Sequence, residues 1–311
     1  MHTILSLAVV TVAEASIGIF VKLVGDAIPI YTLNFYRVFF AALFLLAMTP
    51  LVRSASLRYP KQNTRDILIV GALIAAQISF FNIAMSLAPV ANVVIFWSVA
   101  PFFVFIFSTL FLNEKPRPVY VWIFLLALVG IVTAEPISFA DSLTSPTNLG
   151  NIIALFDGAI YAAMVTYMRF EGKTETSTDI MWFMIAASIY LSPALFLFGP
   201  GELMTMNSSP ALPFAAPALV WAVCLGVLST GLAFLFISLV LHRINANIYS
   251  LVDIIVSPVI AAMFAYAVFY EVPSVRTIIG GVILLVAAFL LTYLRNRAQS
   301  SQPQQVPVSS K

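Results

Sequence analysis

Charge is what this sequence has least of: Asp, Glu, Lys and Arg make up 9% of its 311 positions, against 61% hydrophobic residues. A soluble domain carries about 25% charged residues, so there is too little charge here to cover a water-facing surface. Cysteine is nearly absent, and the single Cys224 excludes a disulfide within the chain. Two histidines, His2 and His242, with that one cysteine make no recognisable zinc site; no metal and no cofactor is expected. The net charge is only +2 and no basic block follows a phosphate backbone, so no nucleic-acid partner is expected. The sequence also lacks GxxxxGK[ST], GxSxG and HExxH, which leaves ATP-driven transport, serine hydrolysis and zinc proteolysis without their motifs.

What the chain does have is long apolar runs, repeated from end to end. Runs of at least ~18 apolar residues mark helices that cross a bilayer. The pattern predicts an all-α membrane protein with ten helices over 3–24, 30–52, 66–87, 89–112, 117–135, 148–169, 178–198, 215–240, 246–270 and 275–294. Short loops separate them, such as Ala88-Pro89 and Asn113-Glu114-Lys115-Pro116. The first run carries Glu14 and has no basic segment ahead of it, so it reads as a retained helix and not a cleaved signal. From Arg295 to Lys311 the chain is rich in Ser, Gln and Pro, the composition of a disordered cytoplasmic tail.

Basic residues set the orientation, because they concentrate in cytoplasmic loops. With both termini inside, Arg53, Arg58, Lys61, Arg65, Lys115, Arg117, Arg169, Lys173, Arg243, Arg295, Arg297 and Lys311 all face the cytoplasm. Only Lys22 and Arg276 fall outside, with Arg37 inside a helix. The opposite orientation reverses that bias, so N-in and C-in is expected.

An internal repeat sets the organisation. Pro101, Glu114 and Pro116 recur as Pro258, Glu271 and Pro273 at a constant offset of 157. Upstream, Gly71 and Ala91-Asn92 recur as Gly226 and Ala246-Asn247 at an offset of 155. The expected units are therefore a five-helix repeat over 3–135, a second over 148–294, and the tail at 295–311. An odd helix count per unit inverts the second across the membrane.

Ionisable groups inside a bilayer are costly and therefore informative. Glu14 lies about 16 Å into the first helix at ~1.5 Å per residue, close to the midplane of a ~30 Å core. Asp157 is near the middle of the sixth helix, Asp253 a third of the way into the ninth, and Arg37 one to two turns into the second. A carboxylate held there can bind a cationic substrate group or carry a proton; it can equally be fixed by Arg37 in a structural pair. Lys22, near a helix end, reads as a snorkelling residue.

Polar stripes accompany these groups at helical spacing. Ser79, Asn82 and Ser86 share one face of the third helix, and Asn245, Tyr249, Asp253 and Ser257 share one face of the ninth. The sixth adds Asp157 and Tyr161, and the fourth adds Asn92, Trp97 and Ser98. Such stripes either line a polar path or bond neighbouring helices. Pro101 and Pro258 lie inside their expected helices, where each predicts a kink. Glu114 and Glu271, each ending an apolar helix ahead of a Pro, read as structural elements at helix ends.

Ser16-Ile17-Gly18-Ile19-Phe20-Val21-Lys22-Leu23, Phe35-Tyr36-Arg37-Val38-Phe39-Phe40-Ala41-Ala42-Leu43, and the endings Glu114…Pro116 and Glu271…Pro273 resemble the EamA branch of the drug/metabolite transporter superfamily. The resemblance runs from about residue 3 to 295. It implies two inverted five-helix repeats around a cavity lined by helices 1, 3, 4, 6, 8 and 9, with alternating access. On that mapping Glu14, Asn82, Trp97, Asp157, Tyr161, Tyr249 and Asp253 lie on cavity helices and Arg37 does not. Helix 7 carries no Arg matching Arg37, so that residue is not a two-fold feature. The resemblance implies a transporter of a small molecule in the plasma membrane, in contact with lipid, most simply an exporter of an amino acid or related metabolite with Glu14 coupling protons. An importer of a vitamin or nucleotide-type metabolite is the alternative. An intramembrane enzyme using Asp157 and Asp253, or a channel, lacks a supporting motif.

Overall fold

The computed structural model describes residues 2–51, 64–112, 118–134, 145–170, 177–241 and 246–300, with side chains at 2–4, 177, 238–241, 246–254, 296 and 298–300 outside the description. Among the described residues, eight helices are long and apolar enough to cross a membrane and two more are shorter and apolar. In chain order they are α1 (Leu5–Ala27), α2 (Ile30–Leu51), α3 (Thr64–Leu87), α4 (Val90–Phe111), α5 (Val119–Ala134), α6 (Pro146–Phe170), α7 (Thr178–Phe198) and α8 (Ala218–Ile237). Then come α9 (Ala246–Phe269) and α10 (Val275–Ser300). These are the ten expected helices in the expected order. The last runs past its expected end at 294, so disorder from Arg295 onward does not hold for 295–300. Glu114 and Asn245 lie outside the described residues.

Local chemistry explains where the helices begin. Pro29, Pro89 and Pro217 sit at the N-caps of α2, α4 and α8 with extended ψ of 134°, 142° and 142°. A proline there lacks only an N–H that no helix would use, and its fixed φ suits the entry. Gly25, at φ +55°, ends the α-helical part of α1.

Four helices are interrupted. α1 breaks at Ser16, between His2–Ala15 and Ile17–Val24. α4 breaks between Val90–Trp97 and Ala100–Phe111. α7 breaks at Ser192, between Ser177–Leu191 and Pro193–Phe198. α8 contains a π-helical turn over Val227–Leu232. Pro101 therefore does not kink a continuous helix as expected: it stands in the first turn of the second half of α4, where its missing N–H costs little. Pro258 does lie inside an unbroken helix, so the two matched prolines act differently.

Several of the helix pairs exchange under a shift of five. α3 packs on α6 and α7, and α8 packs on α1 and α2; α4 packs on α6, and α9 on α1. The pairs α2–α7, α4–α9 and α5–α10 map onto themselves. The repeated glycine has a physical account in this pattern. A Cβ on Gly71 would meet Ala186 Cβ at 2.6 Å and Phe183 O at 3.3 Å, on α7; a Cβ on Gly226 would meet Phe40 Cβ at 2.6 Å and Arg37 O at 2.8 Å, on α2. Each glycine lets the two backbones approach, as small residues do at membrane helix crossings. The same contacts set Phe183 where the first half has Arg37. At α5–α10, a Cβ on Gly280 would lie 2.2 Å from Ala134 N.

The outward faces of these helices are apolar: Val121, Trp122, Leu125 and Leu128 on α5, and Ile278, Ile279, Val282 and Val286 on α10 are exposed. Exposed bands of this kind suit lipid, not water. At one end of the bundle a two-stranded antiparallel hairpin, β1 (Met206–Asn207) and β2 (Ala216–Pro217), is tied to α1 by Asn207 Nδ2 donating to Val24 O at 2.7 Å and Glu202 N to Ala27 O at 2.7 Å. At the same end Lys22 forms an ion pair with Glu271, whose other oxygen accepts from Val90 N at 3.0 Å. Lys22 is thus not a free snorkelling group, because a carboxylate from the other half meets it. Glu271 holds a helix end, as expected. At the opposite end Arg169 and Arg295 both donate to Ser108 Oγ, at 2.9 and 2.8 Å.

Candidate functional site

The polar groups of the interior gather where α1, α2, α3, α4, α6 and α8 meet. Arg37 is 4% exposed and reaches α8 and α3 together. Its Nε donates to Thr230 Oγ1 at 2.9 Å and its Nη1 to Asn82 Oδ1 at 2.6 Å. Asn82, fully buried, passes the contact on by donating to Asn34 Oδ1 at 2.8 Å. The π turn prepares Thr230 for this: its hydroxyl donates back to Leu225 O at 3.0 Å, leaving its lone pairs to accept from Arg37. Beside it Ser229 bonds Ser16 at 2.6 Å across the break in α1. Ser16 spends its proton on Ala13 O at 2.7 Å, so Ser229 is the donor. Non-helical irregularity at membrane depth is tolerated where it is buried in protein or lines a polar path, and π turns gather at functional sites.

Two carboxylates act on this guanidinium. Asp157 exerts the larger field on Arg37 and half-buried Glu14 the smaller. Asp157 is fully buried on α6 and accepts from Gln77 Nε2, on α3, at 3.2 Å through Oδ2; its Oδ1 has no hydrogen-bond partner. One turn further along α6, the Tyr161 ring stands 5.3 Å from that of Trp97 at 61°. Trp97 also meets Phe81 edge-on at 6.3 Å, and its indole Nε1 is buried with no partner. Gly158 brings α6 against the break in α4: a Cβ there would lie 3.4 Å from Trp97 O and from Ala100 N.

Of the residues expected from the sequence, Asn82, Trp97, Asp157 and Tyr161 come together here, with Glu14 close enough to act on Arg37. Tyr249 and Asp253 belong to α9, but their side chains lie outside the described residues. Pro101 opens the lower part of α4, and Pro258 is internal to α9. Of the α3 stripe only Asn82 joins: Ser79 and Ser86 bond carbonyls of their own helix, Ala75 O at 2.7 Å and Ile83 O at 2.9 Å. Arg37, which the resemblance places off the cavity, joins the set through Asn82 and Thr230. Asn34, Gln77, Ser16, Ser229 and Thr230 were not expected; each is a polar residue inside an apolar run, the signal that marked the others.

The profile of the EamA-like transporter family matches residues 1–134 and again 148–293. The chain belongs to the EamA-like transporter family. This transporter is also similar to the pseudopaline exporter CntI of Pseudomonas aeruginosa in two strains. It is 26% identical over 278 residues to that of UCBPP-PA14 and 27% over 278 to that of PAO1, covering 88% of this chain and 89% of each relative. Among solved proteins, one crystal structure aligns with 96% of the transporter and 99% of its own chain, at a TM-score of 0.63 and 20% identity. That likeness shows a shared fold.

Proposed function

We propose that this protein exports a small polar metabolite, an amino acid or related compound, across the plasma membrane by alternating access. The observation that carries the reading is where the interior polar contacts run. Arg37 to Thr230, Ser16 to Ser229 and Gln77 to Asp157 each join the first half of the chain to the second. Rocking one half against the other must break and remake these contacts, so the site and the moving interface coincide. The exchange of helix pairs under a shift of five supports two halves related by a two-fold, and the odd number of helices in each supports inversion. The positions of the basic residues support cytoplasmic termini. Two relatives named as exporters support the direction.

Glu14 carries the coupling proton in this reading. It is the acid near the midplane of α1, next to the break at Ser16, and its charge acts on Arg37. The test is metabolite profiling of medium and cell extract with and without overexpression, with Glu14→Gln as control and pseudopaline among the compounds sought. A compound that accumulates outside only with the active protein supports export. Accumulation inside the cell instead means import, with vitamins and nucleotides examined next. If Glu14→Gln leaves pH-gradient-driven transport in membrane vesicles unchanged, the coupling role of Glu14 is wrong.

A further inference from the structure

We propose that Asp157, with Phe81, Trp97 and Tyr161 around it, is the subsite for an ammonium group of the transported compound, and that the Trp97 indole N–H donates to an acceptor oxygen of the same molecule. The proposal rests on the transporter reading above and names the chemistry of its substrate.

The first argument is incomplete satisfaction. An ionised carboxylate offers about four acceptor positions. Asp157, fully buried, fills one of them with the amide of Gln77 at 3.2 Å and leaves Oδ1 with none. The Trp97 indole is a donor without an acceptor. An orphan acceptor and an orphan donor in one bilayer interior do not satisfy each other, and buried polar groups are normally paired. A guest bringing both a donor cation and an acceptor meets both needs together.

The second argument is the walls. Trp97 contacts Tyr161 at 5.3 Å and Phe81 at 6.3 Å. Asp157 and Tyr161 are one turn apart on α6, and Gln77 and Phe81 one turn apart on α3, so the carboxylate and its amide share the helix faces that carry Tyr161 and Phe81, the two rings that meet Trp97. Gly158 keeps α6 against Trp97. Aromatic faces attract cations through their quadrupole, most strongly when water is excluded. A carboxylate sharing its helix face with such a ring selects an ammonium, where a bare carboxylate would accept any donor.

Arg37 argues against an anion at Asp157 itself. Its charge is already shared between two carboxylates and two neutral acceptors.

The experiment uses the full chain in proteoliposomes, in counterflow without a pH gradient. The probes are the small-metabolite fraction of a cell extract, the same fraction after exhaustive N-acetylation, which removes the ammonium charge, and the same fraction after reductive N-methylation, which adds bulk but keeps the charge. The expected result is exchange of at least one amine-bearing compound and loss of that exchange on acetylation but not on methylation. Asp157→Asn should lower it about 10- to 100-fold, as expected for a lost charge-assisted hydrogen bond, with a normal size-exclusion profile. Trp97→Leu should raise the half-saturating concentration, and Trp97→Phe less so. Equal exchange of free and acetylated forms overturns the subsite. So does an Asp157→Asn protein that exchanges the amine as fast as the wild type: the residue would then serve only proton movement or packing. Exchange confined to amine-free compounds also overturns it while leaving the transporter reading intact. Exchange of nothing in any fraction strikes at that reading instead.

Discussion

Replacing Asn82 by Leu tests whether the buried Arg37 is held mainly by this one neutral side chain. Asn82 bridges two helices with its two ends: Oδ1 accepts from Arg37 at 2.6 Å and Nδ2 donates to Asn34 at 2.8 Å. Leu has a similar volume and removes both bonds while leaving no cavity. The two losses are unequal. A hydrogen bond to a charged group contributes about 1.5–3 kcal/mol. A neutral interhelical bond within a membrane averages only about 0.6 kcal/mol, because the unfolded helices find other partners in the bilayer. The expected destabilisation is therefore about 2–4 kcal/mol, dominated by the guanidinium. Asn82→Asp separates the two terms. It keeps an acceptor for Arg37 and loses only the donor to Asn34, so it should be destabilised by well under half as much as the Leu variant. The assay is reversible unfolding in mixed detergent–lipid micelles with increasing dodecyl sulfate, followed by tryptophan fluorescence. A Leu variant as stable as the wild type would refute the reasoning, as would an Asp variant as damaged as the Leu one. The first would mean that Thr230, bonded at 2.9 Å, holds Arg37 without help; the second, that the bond to Asn34 and not the guanidinium carries the loss.

Other outcomes follow from the same geometry. Gly226→Ala places a Cβ 2.6 Å from Phe40 Cβ and 2.8 Å from Arg37 O; neither atom can swing away, so the α2–α8 crossing should open at a cost of about 1–3 kcal/mol, read as a lower unfolding midpoint. Gly25→Ala meets no atom within 4 Å but sits at φ +55° and ψ −144°, a conformation almost confined to glycine, so it should cost only the backbone strain of about 1–3 kcal/mol and leave transport unchanged. Lys22→Ala should alter stability by no more than about 1 kcal/mol, since partly exposed ion pairs contribute little, yet change the transport rate because the pair joins the two halves; an unaffected rate would make the pair incidental. In a Cys224→Ser background, Ser208→Cys should react with an impermeant thiol reagent on intact cells and Arg297→Cys only after permeabilisation; the reverse labelling would invert the topology.

The ten helices and their order were legible in the sequence, because each must be apolar along its whole length to replace water with lipid. Family membership was legible as well, since it is carried by linear motifs and by two profile matches along the chain. Several interior groups that matter, half-buried Glu14 and buried Asp157 and Asn82 among them, stood out because polar side chains in a bilayer core are rare. Their partners did not stand out. A stripe on one helix says which face is polar but not whether each member turns to a neighbour or to its own backbone. Ser79 and Ser86 took their own carbonyls, while Asn82 took Arg37. The repeat at Gly71 and Gly226 was visible as a spacing; only packing revealed that each opens a crossing to α7 or α2.

The tertiary structure alone decided three matters. It put Arg37 at the centre of the polar interior, because the π turn in α8 presents Thr230 to it and backbone irregularity leaves no residue signature. It separated Pro101 from Pro258, which the repeat equates: α4 is already broken at the turn before Pro101, whereas α9 continues through Pro258. And it joined Lys22 to Glu271 across 249 residues of chain. Apolar length fixes what crosses a membrane one segment at a time, while the pairing of polar groups depends on which segments become neighbours, and that is settled only when the two halves pack.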